Sequence, residues 1–310
     1  MLPQLSASQA AASPCESVAQ WWPRHRAIAG EHSDPIHQAI IGGFVADRVG
    51  WAFASGYQAA LRALFPDAPG DRICALCVTE ADGNSPKAIK STLTRTGDGW
   101  TLEGSKRWTT LGPEGALFFV AARDEAASRE RASIRIARVD STAKGLNIEK
   151  MPATKFVPEV PHAQLQFKDL QIAESAILPG DGYEQFVKPF RTVEDIHVQA
   201  AVLSYLMREG QRLSWPEHWL ERLSALLAGL GKLSDMPASH AETHIALSGA
   251  LAIGGGLIGE TDEFWKRSAA DPAALRWWRD RELLKVAASA REQRTRRAWE
   301  RLRAQARSSR

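Results

Sequence analysis

The sequence predicts an α+β protein: a short helical region over residues 1–70, a β-barrel or sandwich domain over 71–182, and a C-terminal helix bundle over 183–310. Three observations carry this. Apolar residues recur near every 3.6 positions from Ile36 to Leu64; alternating runs separated by Gly-, Asn-, Ser- and Asp-rich breaks fill Cys74 to Thr109; broad apolar helical faces return after Tyr183.

Residues 1–14 are rich in Ala, Ser and Gln and predict a mobile segment or marginal helix. Ile40, Phe44, Val45, Val49, Phe53, Tyr57, Leu61 and Leu64 then predict a pair of buried helices, or one bent at Gly42-Gly43 or Gly50. Pro66 to Asp71 is a turn-rich linker. Cys74–Thr79, Ser91–Thr96 and Trp100–Thr109 read as short antiparallel strands, the last two closed into a hairpin by Gly97-Asp98-Gly99. Ile134–Val139, Leu146–Met151 and Ala163–Leu170 read as further strands, with a charged loop over Asp124–Ala132. Tyr183–Gln211, Leu220–Leu233, His240–Ile258 and Ala273–Arg303 predict a bundle of about four helices. The Arg cluster at 291, 294, 296, 297, 301 and 303 reads as a solvated face whose cations sit near a helix C-terminus.

A hydrophobic share of 44% with 24% charged residues is ordinary globular composition, and a net charge of +3 points to neither a nucleic-acid nor a membrane-surface partner. No uninterrupted apolar run approaches the ~20 residues that span a bilayer. Three cysteines are too few and too odd a set for a disulfide scaffold. With no secretory signal at the N-terminus, a cytoplasmic location is expected.

Several motifs fall away on context. Gly254-Gly255-Gly256-Leu257-Ile258-Gly259 fits G-x-G-x-x-G, but it follows an apolar helix instead of a strand, so a helix-ending glycine cluster is expected. Cys74 and Cys77 spell C-x-x-C within a strand, where residues three apart face opposite ways, and no metal site is expected. No H-E-x-x-H or G-x-S-x-G is present.

Two polar clusters remain: Cys77-Val78-Thr79-Glu80 with Gly83-Asn84-Ser85, and Lys106-Arg107-Trp108-Thr109-Thr110. Hydroxyls at strand ends beside an indole offer donors and a flat apolar face to a planar heteroaromatic ligand. Together the clusters resemble the middle domain of the acyl-CoA dehydrogenase family, in which a Thr-Glu loop, a Gly-Ser and a Trp-x-Thr strand end hold FAD. From Trp51 to Arg297 the likeness continues through Gly180-Asp181-Gly182, through Ala252–Gly256, which resembles the family's Gly-Gly loop, and through Trp278-Arg279-Asp280, which matches a Trp-Arg-Asp helix start.

The resemblance implies FAD bound by Leu76, Val78, Thr79, Ser85, Trp108, Thr110, Gly254 and Gly255. It implies oxidation of an acyl-CoA or related thioester, an electron-transfer acceptor, and a homo-oligomer paired through the C-terminal bundle. The family's usual Glu base, eight residues beyond the Asp, falls on Ala288; its alternative position brings forward Glu194, beside Asp195. Other departures are Asn84 and Pro86 around Ser85, Leu251 at a Gln position, no Arg-x-x-Phe-Gly in Gln211–Leu233, and a shorter N-terminal helical region. Two functions follow as expectations: an FAD-dependent oxidoreductase, or a non-catalytic relative that binds a thioester, a flavin or a partner subunit.

Overall fold

The computed structural model describes residues 13–127 and 134–308. The expected N-terminal segment 1–14 and the end of the Asp124–Ala132 loop therefore lie largely outside the described residues. The chain forms two compact units: a helical one built from the chain up to Ala63, Lys155–Val157 and Arg191 onward, and a β-rich one built from Leu64–Thr154 and Pro158–Phe190.

In the β unit, β1 (Cys74–Cys77), β2 (Thr92–Thr96), β3 (Gly99–Thr110), β4 (Leu117–Asp124), β5 (Ile134–Asp140), β6 (Leu146–Lys150) and β7 (His162–Ala173) form one mixed sheet. Its order is β1-β4-β2-β3-β7-β6, with β5 on β4. The expected hairpin forms, Thr96 facing Gly99 across Gly97-Asp98, with Gly97 at φ 54° where a side chain would be strained. The sequence reading had no strand at β4, because Leu117–Ala122 is apolar on both faces and shows no alternation. The all-antiparallel expectation needs correction too. β1 and β2 both run parallel to β4, with Cys74 opposite Leu117 and Thr92 opposite Arg123. The core joins Leu93, Trp100, Leu102, Phe118, Val120, Leu165, Phe167 and Leu170. Fully burying each large apolar side chain stabilises the fold by about 1.5–3 kcal/mol. Cys74 and Cys77 are buried and neither is in a disulfide. Burial pushes the Cys77 thiol up to about 12, against opposition from Thr109 and Lys106, so it stays protonated and inert.

In the helical unit, α1 (Val18–Glu31) is a helix the sequence reading left unassigned, capped by the Ser17 hydroxyl on the Gln20 N–H. α2 (Pro35–Phe44) and α3 (Val49–Leu64) are the expected buried pair. Asp34 caps α2 ahead of Pro35. Glycine lets α4 (Lys188–Arg212) come close: a Cβ on Gly43 would sit 2.0 Å from the Ala201 carbonyl oxygen, and one on Gly56 2.7 Å from Val198 Cα. A π-helical turn, Tyr183–Val187, leads into α4, with the Asp181 carboxylate accepting from the Tyr183 and Glu184 N–H groups.

α5 (Glu217–Ser234) is as expected, but α6 (Ala241–Arg267) runs well past Ile258. Gly254, Gly255 and Gly256 therefore lie inside a helix, and neither a Gly-Gly loop nor a helix end is present there. Twenty-seven residues of continuous hydrogen bonding and the buried Leu247, Leu257, Ile258 and Trp265 override the low helix propensity of glycine. By length and composition α6 is long and apolar enough to cross a membrane, with about a third of its apolar window buried within the fold. The expected helix over Ala273–Arg303 is divided into α7 (Pro272–Asp280), a 3-10 turn (Arg281–Lys285) and α8 (Ala288–Ser308). Trp278-Arg279-Asp280 thus ends a helix instead of starting one. Asp280 is fully buried there, paired with Arg279 and accepting the Val157 N–H at 2.8 Å.

Candidate binding site at the strand ends

The two polar clusters come together at the ends of β1 and β3. The Arg107 N–H donates to the Thr79 carbonyl at 2.8 Å, which lays the chain leaving β1 against β3. Glu80 and Gly83 then close a tight turn through reciprocal backbone bonds of 2.8 and 3.1 Å, with Gly83 at φ 113°. Beneath this turn lies a buried ion pair. The Lys106 ammonium, wholly inaccessible, donates to Glu80 Oε1 at 2.5 Å and reaches the Val78 carbonyl at 3.4 Å. Glu80 also accepts from the Lys90 N–H (2.8 Å), the Ser91 N–H (3.0 Å) and the Ser91 hydroxyl (2.9 Å). Burial works against the Glu80 charge, but Lys106 and the backbone donors outweigh it and hold the carboxyl below its usual range.

β3 carries a second device. Lys106 occupies the inward phase of the strand, so unbroken alternation would aim Trp108 inward as well. A bulge against β7 falls between Lys106 and Thr109, and Trp108 takes a left-handed backbone at φ 58°. The phase inverts. Arg107 and Trp108 both face out, Thr109 turns in and donates to Cys77 Sγ at 3.8 Å, and Thr110 returns to a half-buried outward position. Trp108 is 49% exposed, with His162 set edge-on to its indole at 5.9 Å and 73°, and its backbone N–H donates to the Met151 thioether at 3.4 Å.

Among the expected site residues, Thr79, Trp108 and Thr110 therefore share one lip. Val78 is half-buried beside them, and Leu76, on β1, is buried with 8% exposure. Ser85 is exposed two residues beyond the Glu80–Gly83 turn, its carbonyl accepting from the Ala88 N–H. The Thr79, Ser85 and Thr110 hydroxyls make no hydrogen bond to another described residue. An exposed indole flanked by free hydroxyls fits a planar polar heterocycle of flavin type.

Glu194, Gly254 and Gly255 belong to the helical unit. Glu194, on α4, is 15% exposed and accepts from Arg191 at 3.0 Å. Burial pushes its carboxyl above the usual range, with Arg191 opposing and Asp195 adding to the rise. Ala288, the usual base position of the resemblance, is exposed at the start of α8. The sequence reading missed the roles of Glu80 and Lys106. The available signal was a lysine on the inward phase set by Trp100 and Leu102, which demands a buried anion.

Residues 75–170 match the family described as acyl-CoA dehydrogenase, middle domain. A curated 3-sulfinopropanoyl-CoA desulfinase from Paraburkholderia xenovorans is 30% identical over 99 residues, 32% of this chain. The matched stretch spans only a quarter to a third of the curated relatives' own lengths. Among solved structures, butyryl-CoA dehydrogenase from Megasphaera elsdenii superposes with a TM-score of 0.66 at 14% identity, covering 89% of this chain and 85% of that one. The FAD complex of PigA gives 0.68 at 14% identity over 96% and 91%. Residues 75–170 are thus similar to an acyl-CoA dehydrogenase middle domain, and the chain that contains them is acyl-CoA dehydrogenase-like in its fold.

Proposed function

We propose that the strand-end lip holds the isoalloxazine of FAD, and that the protein is an acyl-CoA dehydrogenase-like flavoprotein oxidising an acyl-CoA or related thioester between its α and β carbons. The observation that carries this reading is the bulge that turns Trp108 outward between the free hydroxyls of Thr79 and Thr110. FAD, when bound, supplies the acceptor for the β-hydride and passes electrons to a separate acceptor. The chain's own task is to take the α-proton, and Glu194 is the group assigned to it. Burial raises its proton affinity towards the working range of a general base, and Arg191 fixes its orientation. Three buried cysteines outside any disulfide suit a reducing compartment such as the cytoplasm, and pairing of the C-terminal helices would give the homo-oligomer.

Ala288 supports a second reading, a non-catalytic flavin- or thioester-binding scaffold, since a methyl group accepts no proton. The visible spectrum of purified protein, before and after incubation with FAD, tests the first part. Flavin bands that disappear in Trp108→Ala support the lip; a flat spectrum in both samples refutes it. Thioester oxidation abolished by Glu194→Gln separates the enzyme from the scaffold.

A further inference from the structure

A buried charge cluster joins α4 to α8 within the helical unit. Asp195, 2% exposed, receives Arg291 through Nε at 3.0 Å and Nη2 at 2.8 Å on Oδ1, while Arg294 Nη1 lies 2.9 Å from Oδ2. One residue back, Glu194 pairs with Arg191. Three guanidiniums thus face two carboxylates, leaving one positive charge in excess. The excess sits deep: Arg294 is 10% exposed, its Nη1 reaches the Thr192 hydroxyl at 3.4 Å, and its Nε and Nη2 are buried with no acceptor among the described residues.

A buried N–H without an acceptor is costly, and more so on a charged group, so two on one guanidinium call for an acceptor. The Nε and one Nη of an arginine form a planar fork matched to two oxygens of a carboxylate. α8 adds to the field, because these arginines lie in its first two turns and its first turn holds no acidic residue. Of the other two arginines of the cluster, Arg191 is 37% and Arg291 25% exposed.

We infer that the α4–α8 junction is an oxyanion-binding site, with the free fork of Arg294 as its principal donor and a carboxylate group as its ligand. The ligand is either a free small acid or the acidic end of a larger molecule. Glu194, the base assigned under the flavin reading, is a member of this cluster, but the inference rests on Arg294 and Asp195, and FAD-free protein tests it independently of that reading. With arginine side chains labelled with 15N, chloride is exchanged for acetate at constant ionic strength, and the Nε–H signals are followed. The same titration with succinate monomethyl ester distinguishes a site that admits only the small acid from one that accepts a longer tail.

A saturable shift of the Arg294 Nε–H, with no saturation at exposed Arg303, is the expected result. Arg294→Lys keeps a cation for Asp195 but removes the fork, and it should weaken acetate binding at least about tenfold, while Arg303→Lys leaves it unchanged. A shift linear in acetate, or saturation persisting undiminished in Arg294→Lys, overturns the inference. The wild-type titration decides the matter even if the Lys variant fails to fold.

Discussion

Removing both members of the Glu80–Lys106 pair should cost less than the sum of the costs of removing each alone. Lys106→Met leaves a buried carboxylate that still accepts from the Lys90 and Ser91 N–H groups and the Ser91 hydroxyl, so its charge is partly satisfied. The expected loss is about 3 kcal/mol, the lower end for breaking a buried pair. Glu80→Leu leaves the ammonium with only the Val78 carbonyl at 3.4 Å and strips two backbone donors of their acceptor. Its cost should approach about 5 kcal/mol. In the double variant no buried charge is left, and what remains is the penalty for the two backbone N–H groups, about 2–6 kcal/mol. Urea unfolding at pH 7, followed by far-UV circular dichroism, measures all three. A double variant whose loss equals the sum of the singles would show that the charges do not stabilise one another, refuting the account. The pair also sets a pH dependence. Because the folded pKa of Glu80 is depressed, its contribution is present above the unfolded carboxylate pKa and fades as the pH falls through the lower folded value.

Three other perturbations test different parts of the structure. Buried neutral His25 and His197, held at about 3 and about 4 by burial, are protonated in the unfolded chain first. Each should therefore remove about 1.4 kcal/mol of stability per pH unit as the pH falls from 6.5 towards its folded value, read from urea midpoints at pH 7, 6 and 5. Trp108→Gly relieves a left-handed backbone worth about 1 kcal/mol, so the melting temperature should hardly move while FAD affinity falls at least about tenfold; a large loss of stability contradicts the bulge. Gly255→Ala meets nothing within 4 Å and should stabilise α6 by about 1 kcal/mol, whereas Gly43→Ala runs into Ala201 and should destabilise by about 3 kcal/mol or more. Destabilisation by Gly255→Ala in a thermal melt would mean that the glycines do form a loop.

What the sequence made legible was local. The β2–β3 hairpin was readable because Gly97 and Asp98 suit its turn, and the α2–α3 pair because its apolar period is strong. β4 was hidden because a strand buried on both faces has no polar phase to reveal it. The continuity of α6 through Gly254–Gly256 was hidden for the opposite reason: local propensity argued for a break that distant packing overrules. Thr79, Trp108 and Thr110 were grouped from their motif, yet the reason they share a lip was out of reach. It lies in the register of β3 on β7, more than fifty residues away, and in a lysine whose partner stands at the end of another strand.

The helical unit is assembled from stretches of chain that the β unit separates, and this sets an order of events during synthesis. Ala39 on α2 and Ala59 on α3 pack in one cluster with Ala201 on α4. At 5–20 residues per second, about 140 residues of translation leave the α2–α3 faces waiting roughly 7–30 s for that partner. The β unit, nearly continuous in sequence, has all its strands on the growing chain before α4 is complete. Nascent chains halted before Ala201 should hence show a protease-resistant β core behind N-terminal helices that are cut readily and captured by chaperones, with resistance of the helices gained only once α4 has left the ribosome.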